Sequence, residues 1–338
     1  GCAQITGFME NTEVSGREVE SLAAEKEDDT VLLGGMPVGI YMETDGVLVL
    51  DTEKMTGMDG KEYTPAQGVV GSGDYITEVN HQKIEGKKQL MDLVEHLDGE
   101  KVLLTVRREN AILEKKLTPV QISKGNYRLG IWVRDNVQGL GTITFLTKNN
   151  RFAALGHGIH DIDTSTLLTI KRGTLYRTSI QKVQKGSKGN PGTMEGIIVY
   201  NRFHRLGVIE KNTDAGIYGE LNSDRSWIGE EVPIQVAKKE EIKTGEARIR
   251  CYIDGEVKEY TICITQIDKE SDQVNKGMVI QVTDTELLEK TGGIIQGMSG
   301  SPIIQNGKLI GAVTHVFVQD STKGYGIFIE NMLKEEES

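Results

Sequence analysis

The most informative stretch of this 338-residue sequence reads Gly297-Met298-Ser299-Gly300-Ser301-Pro302. A serine in a Gly-x-Ser-Gly-x-Pro sequence lies where the backbone turns sharply, because glycine has no Cβ atom to obstruct the turn. Such a turn exposes the serine hydroxyl and directs backbone N–H groups toward one point, where they could stabilise an oxyanion. A Gly-x-Ser-Gly stretch by itself is often only a turn, so a second chemical group is needed before Ser299 can be interpreted as a nucleophile.

A serine nucleophile needs a base that takes its proton, and histidine is the usual one. His157 is the best placed of the six histidines, because it follows an apolar run and lies between two glycines. A lone histidine after a strand is more often structural than catalytic. The order of His157 and then Ser299, separated by a β-rich stretch, favours catalysis over two unrelated structural motifs.

The acidic member of a serine–histidine–acid triad stays open at the level of the residues. Asp161 and Asp163 follow His157 closely, but both equally suit a turn. Asp284 ends a predicted strand, and it precedes Leu287, so it could instead be the N-cap of a short helix.

Composition favours a β-rich globular protein. Glycine is abundant (40 residues) and proline is scarce (6), which is typical of many tight turns between short strands. The net charge of −11 argues against nucleic acid as the main partner. Cys2, Cys251 and Cys263 have neither a disulfide framework nor zinc spacing, and no apolar run is long enough to span a membrane.

The order of patterns predicts two domains with short flanking segments. The four predicted segments are a polar linker or stalk over residues 1–30, a domain over 31–120, a domain over 121–334, and an acidic tail over 335–338. In the first domain, apolar residues spaced i, i+3, i+4, i+7 predict an amphipathic helix over residues 87–97. In the second domain short strands dominate, with the clearest hairpin around Asp254-Gly255, which predicts a barrel or a sandwich.

Residues 31–120 resemble a PDZ domain. The similarity lies in Ala66-Gln67-Gly68 followed by Gly71-Ser72-Gly73-Asp74-Tyr75-Ile76, and then in Val79-Asn80 before the helix; it departs at His81, where that family usually has glycine. PDZ domains bind peptide ends by adding a strand to an exposed sheet edge. By position, the resemblance implies that the carboxylate-binding loop and edge strand consist of Gly35, Met36, Pro37, Val38, Gly39 and Ile40.

Residues 297–302 resemble the nucleophile loop of chymotrypsin-fold serine proteases. The resemblance implies an antiparallel β-barrel peptidase in which Ser299 is the nucleophile and the N–H groups of Gly297 and Ser299 form the oxyanion hole. Met298 stands where that family usually has aspartate, so activation by a salt bridge to a processed N-terminus is not expected. The fold class expected for the whole chain is therefore mainly β, with an α+β PDZ domain followed by a chymotrypsin-like barrel.

The chain as a whole resembles the SpoIVB family of sporulation signalling serine peptidases. The closest stretches run from Lys290 to Gly307 and from Ala154 to Ile159, with Gly189-Asn190-Pro191-Gly192 between them. The resemblance implies the triad His157, Asp284 and Ser299, so the choice of Asp284 as the acid rests on the family. It also implies cleavage of the chain itself and of a membrane-bound regulator, which frees an intramembrane protease to activate a late mother-cell sigma factor.

The same family places its members in the space between forespore and mother cell. The chain opens at Gly1-Cys2 without methionine, so we expect that a signal or anchor preceded it. No cofactor and no metal are expected, although His157 and His160 lie close in sequence to two aspartates. The alternative function is a PDZ peptide-binding adaptor with a degenerate protease domain, in which Ser299 would not react with a fluorophosphonate.

Overall fold

The computed structural model describes residues 29–338. The predicted linker over residues 1–30 therefore lies outside the described residues, except for its last two. Strands make up most of the described chain, as the composition indicates.

The first part of the chain forms ten strands and one helix. They are β1 (Thr30–Leu33), β2 (Pro37–Thr52), β3 (Met55–Thr56), β4 (Glu62–Tyr63), β5 (Tyr75–Val79), β6 (Gln82–Lys83), α1 (Lys87–Glu95), β7 (Val102–Arg108), β8 (Ala111–Leu117), β9 (Val120–Ser123) and β10 (Asn126–Arg128). The middle of the chain adds β11 (Ile131–Leu146), β12 (Arg151–Ala154), β13 (Ile170–Tyr176), β14 (Thr178–Gln184), β15 (Thr193–Ile198), β16 (Arg205–Thr213) and β17 (Gly216–Leu221).

The last part begins with β18 and ends in a helix. It comprises β18 (Pro233–Val236), β19 (Gly245–Ile253), β20 (Glu256–Ile267), β21 (Met278–Val282), α2 (Thr285–Thr291), β22 (Pro302–Gln305), β23 (Lys308–Phe317), β24 (Asp320–Phe328) and α3 (Ile329–Glu337). Short 3₁₀ turns occur at Arg202–His204, Ser226–Ile228 and Lys239–Glu241.

The PDZ domain has its own hydrophobic core. Helix α1 buries Leu90, with Leu93, Val94 and Leu97 packed around the same core, which confirms the predicted amphipathic helix. Ile76 on β5 and Leu104 on β7 lie in this core and are fully buried. The pairs β5–β7 and β7–β8 are antiparallel, as hairpins and meanders of this kind require.

Two 16-residue strands connect the PDZ domain to the barrel. β2 and β11 pair antiparallel along nearly their whole length. The first part of β2 buries Val38 and Met42 in the barrel core, whereas the part after Gly46 buries Val47 and Val49 in the PDZ core. The barrel therefore begins at β1 rather than at residue 121, and the PDZ core is built on the far ends of two barrel strands.

A second barrel core is formed by the strands from β19 onward. The hairpin β19–β20 turns at Asp254 and Gly255, both at positive φ, which confirms the predicted turn. Cys251 pairs with Lys258 and Cys263 with Glu246, so the two cysteines do not face each other. Burial raises the pKa of Cys251 to about 12, as suits an inert core thiol.

The predicted acidic tail is instead the end of a docked helix. Met332 of α3 is fully buried, and Glu336 makes a 2.9 Å ion pair with Arg151 on β12. The last four residues resemble an acidic tail in the sequence because the arginine that pairs with Glu336 is not nearby. That arginine, Arg151, lies 185 positions earlier. Within residues 29–338, no helix combines the length and the apolar character needed to cross a membrane.

Candidate active site

The loop that carries Ser299 lies between α2 and β22 and is held by β11 and β23. Gly297 and Gly300 have φ values of +108° and +95°, which side chains other than glycine rarely adopt. Thr142 on β11 donates its N–H to the carbonyl of Ser299 (3.0 Å) and its hydroxyl to the carbonyl of Gly297 (2.8 Å). Gly300 N–H donates to the carbonyl of Val313 on β23 (2.7 Å). These bonds fix the loop to β11 on one side and to β23 on the other.

Two backbone N–H groups of this loop are left without an acceptor. The N–H groups of the flanking residues, which are Gln296, Met298, Gly300 and Ser301, all donate to backbone carbonyls. Those of Gly297 and Ser299 donate to no acceptor within residues 29–338. They are the same two groups that the motif resemblance assigns to an oxyanion hole, and unpaired donors of this kind are what an oxyanion requires.

The hydroxyl of Ser299 is half-buried and donates to the carbonyl of Thr314 on β23 at 3.0 Å. No hydrogen bond joins it to His157 in this conformation of the described chain. Both side chains line one cavity of about 420 Å³, together with Gly297. The structure therefore brings the predicted nucleophile and base to the same cavity, with geometry that has to tighten for proton transfer, as is common before substrate binds.

His157 follows β12 after a tight turn in which Leu155 and Gly156 both have positive φ. Its Nδ1 lies 2.8 Å from the carbonyl of Gly158, so the proton sits on Nδ1 and Nε2 is free to accept one. Burial lowers the pKa of His157, the bond to Gly158 opposes that effect, and the neighbouring His160 adds to it. The ring is therefore neutral at neutral pH, which is the state a general base needs.

A second histidine packs on the first. The rings of His157 and His315 lie 4.7 Å apart, and burial lowers the pKa of His315 to about 4. Sequence reasoning missed His315 and Thr314, because their place beside Ser299 follows from the return of β23 past the nucleophile loop. The available signal was that a strand directly after a nucleophile loop lies next to it, as Thr314-His315 does.

Asp284 is placed at the N-terminus of α2. Its carboxylate accepts from the N–H groups of Glu286 (3.0 Å) and Leu287 (3.2 Å), and from that of Thr261 (3.1 Å). It does not line the cavity of Ser299, and Gly158 rather than a carboxylate holds His157 Nδ1. The structure thus matches the N-cap alternative and does not bring Asp284 to His157.

The two other acids considered are occupied by an arginine. Arg134 bonds Asp161 and Asp163, each at 2.7 Å, and the buried Asp161 also accepts two backbone N–H groups of its own turn. His160 Nε2 lies instead 3.7 Å from Oδ1 of Asp214. The described residues contain no group of three or more side chains placed to hold a metal ion.

The placement of Asp284 makes a substitution test decisive. Asparagine keeps the N-cap but removes the charge, so we expect Asp284→Asn to retain kcat within about threefold, whereas Asp284→Ala loses about 1 kcal/mol of unfolding free energy. Chemical denaturation and initial rates on a peptide substrate measure the two quantities. A loss of kcat on the order of 10⁴ in the Asn variant, with unchanged stability, would instead assign Asp284 to the triad.

The predicted PDZ peptide-binding segment lies in the barrel. Gly35, Met36, Pro37, Val38, Gly39 and Ile40 run from the β1–β2 connection into β2. Val38 and Ile40 are buried in the barrel core, and β2 is bordered there by β11 on one side and β13 on the other. At Gly39 and Ile40 the strand therefore has no free edge to which a peptide could add. This is a correction of the prediction: a Gly-Gly-apolar run opens a barrel strand as well as it opens a PDZ loop.

A groove on the PDZ domain lies elsewhere, between α1 and the start of β11. It has a volume of about 630 Å³, and its walls include Leu90 and Val94 of α1 and the segment Leu129-Gly130-Ile131. Gly130 has a φ of +71° and turns the chain into β11. The exposed side chains of Met91 and Trp132 stand at its rim. The sequence feature that could have indicated this groove is the run Leu129-Gly130-Ile131 after the helix. The prediction instead took residues 35–40 as the peptide-binding segment.

Comparisons with known proteins give partial matches to three of them. A Helicobacter pylori protein named as a zinc metalloprotease is 31% identical over 110 residues, which are 29% of this chain and 31% of that protein, so the chain spans about a third of that relative. The PDZ domain of a Listeria monocytogenes SdrC-like protein is 24% identical, covering 26% of this chain and 87% of that one (TM-score 0.21). The Rv3671c protease of M. tuberculosis is 14% identical, covering 60% and 75% (TM-score 0.32).

The decisive comparison is with a family model. The model of the SpoIVB peptidase S55 family matches residues 125–333, which hold His157, the Ser299 loop and every strand from β12 to β24. The match covers well over half of the chain. The chain therefore belongs to the SpoIVB peptidase S55 family.

Proposed function

We propose that this peptidase cleaves itself and a membrane-bound regulator, and that this cleavage frees an intramembrane protease to activate a late mother-cell sigma factor during sporulation. Membership of the SpoIVB family supports the biological role. The observation that carries the chemistry is the convergence of Ser299, His157 and two unpaired N–H groups on one cavity. The protein would act after export, in the space between forespore and mother cell.

The chemistry begins with a rotation of the Ser299 hydroxyl away from Thr314. His157 Nε2 then takes the hydroxyl proton while Ser299 Oγ attacks the scissile carbonyl. The N–H groups of Gly297 and Ser299 hold the resulting oxyanion, a contribution worth about 3 to 4 kcal/mol for each donor. His157 returns its proton to the leaving amine, and water hydrolyses the acyl-enzyme by the same route.

The carbonyl of Gly158 has the orienting role in this proposal. It accepts from Nδ1, which fixes the tautomer that leaves Nε2 basic. Its partial negative charge also favours the imidazolium that forms when His157 is protonated. A backbone carbonyl provides less stabilisation than a buried carboxylate, so substrate binding or a partner would have to contribute to full activity.

The PDZ groove would recruit the peptide that the barrel cleaves. Its wall at Ile131-Trp132-Val133 is the beginning of β11, and the same strand reaches the catalytic cavity at Val137 to Leu140. A peptide bound against this wall is therefore connected to the cavity by a few residues of one strand. The groove is the proposed binding site for the chain's own N-terminal segment or for the regulator.

Labelling with a fluorophosphonate tests the proposed chemistry and separates it from the adaptor alternative. We expect labelling of Ser299 with a rate that falls as the pH drops, since a protonated His157 cannot accept the serine proton. Because burial lowers the pKa of His157 from 6.5, the midpoint should lie below pH 6.5. The labelling rate between pH 4.5 and 8 measures it, with Ser299→Ala as the unlabelled control. A midpoint above 6.5 would contradict the burial argument, and absence of labelling would favour the adaptor.

A further inference from the structure

We infer that the cavity beside Ser299 accepts an uncharged aliphatic side chain on the substrate residue whose carbonyl is attacked, and that Ile294 and Val316 set this preference. That substrate residue is called the acyl residue below. The inference rests on the proposed role of Ser299 as nucleophile and adds a substrate class to it.

The cavity walls carry no full charge. Among the residues that line it there is no aspartate, glutamate, lysine or arginine. The titratable side chains are His157 and His315, and burial lowers the pKa of each, so both are neutral at neutral pH. His160, which faces His157 from the same loop, lies next to Asp214 outside the lining. An ionised substrate side chain would therefore lose water there without meeting a counter-charge.

The position of the acyl residue follows from the groups that hold its carbonyl. With the carbonyl carbon at Ser299 Oγ and its oxygen at the N–H groups of Gly297 and Ser299, the attached side chain lies within one side-chain length of the nucleophile. The cavity walls contributed by the segment just before the loop and by the strand just after Thr314 include Ile294 and Val316.

Ile294 and Val316 form one aliphatic wall over a glycine. Val316 pairs with Gly324 across β23 and β24. A Cβ atom on Gly324 would lie only 2.5 Å from Cδ1 of Ile294, so the tip of Ile294 occupies the space above that glycine. Ile294 is buried and Val316 is half-buried. The wall offers branched aliphatic surface and no polar atom, which rewards an aliphatic partner through the area removed from water.

The experiment compares peptides that differ only at the acyl residue. On the full chain we expect kcat/KM for valine or alanine to exceed that for lysine or aspartate by on the order of 100-fold. Val316→Asp places a carboxylate on the wall and should lower the ratio of valine to lysine rates at least about tenfold. Val208→Asp is the matched control, because Val208 is 51% exposed on β16 and does not line the cavity.

Fluorophosphonate labelling of the same preparations separates two kinds of failure. If Ser299 labels normally but lysine or aspartate peptides are cleaved as fast as valine peptides, the inferred preference is overturned while the proposed function stands. If Ser299 neither labels nor cleaves any peptide, the proposed function fails and the inference with it. A Val316→Asp variant that labels normally and keeps the wild-type ratio would remove Val316 from the specificity wall.

Discussion

Ser299→Ala is expected to lower kcat for peptide cleavage by about 10⁴-fold or more while the protein stays folded. The substitution removes the nucleophilic hydroxyl, whose only hydrogen bond in the described chain is the one to the carbonyl of Thr314. Because Ser299 is half-buried and alanine fits the same backbone, the free energy of unfolding should fall by no more than about 1 kcal/mol. Initial rates and thermal unfolding on the same sample measure both quantities.

Ser301 provides a control two residues away in the same loop. Its hydroxyl is fully buried and donates to the carbonyl of Met298, so it supports the loop and does not face the cavity. Ser301→Ala should lower the free energy of unfolding by about 0.5 to 1.5 kcal/mol, since one buried hydrogen bond is lost while the carbonyl of Met298 still accepts the N–H of Ser301. Activity per folded molecule should change far less than in Ser299→Ala. Full activity in Ser299→Ala would remove Ser299 from the mechanism.

Ser299→Ala also tests self-cleavage. An inactive Ser299→Ala chain mixed with a catalytic amount of wild type is a substrate that cannot cut itself. Shortening of the variant in that mixture, and not in the variant alone, would show cleavage between molecules. An intact variant after complete processing of the wild type would restrict self-cleavage to the same molecule.

Features of the fold and site that depend on a short segment of sequence were predictable, and features that depend on distant contacts were not. The Ser299 loop and His157 were recognisable because nucleophilic chemistry limits which residues can occupy those positions, and the turn at Asp254-Gly255 because its geometry requires positive φ. The role of Asp284 was not settled in the same way. A helix N-cap and a catalytic acid place the same residue type after a strand, so only the contacts distinguish them.

The prediction that residues 35–40 bind a peptide was wrong because the environment of these residues depends on strands far away in the sequence. Most of residues 35–40 are buried, because β11, about 100 positions later, pairs with residues 37–40 and β13 pairs with Gly39 and Ile40. No local pattern in residues 35–40 contains that information. No local pattern predicts the role of Thr142 either, because it donates from β11 to the carbonyls of Gly297 and Ser299, which lie far away in the sequence. What could not be read from the sequence was mainly which distant strand closes on which.

Gly300→Ala is expected to cost at least about 3 kcal/mol of unfolding free energy, the largest stability effect in the site. Gly300 has a φ of +95°, and a Cβ atom there would lie 2.2 Å from the carbonyl oxygen of Thr142 and 2.5 Å from the nitrogen of Leu155. Both atoms are backbone, so no side-chain rotation relieves the contact. To relieve these contacts, the nucleophile loop would have to move away from β11 and from the turn that follows β12.

A second glycine isolates that contact from the cost of the backbone conformation. Gly307 has a φ of +74°, and a Cβ atom there would meet nothing within 4 Å. Gly307→Ala should therefore cost only the left-handed conformation, about 1 to 2 kcal/mol. The additional loss of unfolding free energy in Gly300→Ala measures how closely the loop packs against the backbone of Thr142 and Leu155. Activity should fall as well, because Leu155 leads directly into the turn that positions His157. Equal losses in the two variants would mean that the loop accommodates a methyl group, and would disprove that Thr142 and Leu155 hold the Ser299 loop rigidly.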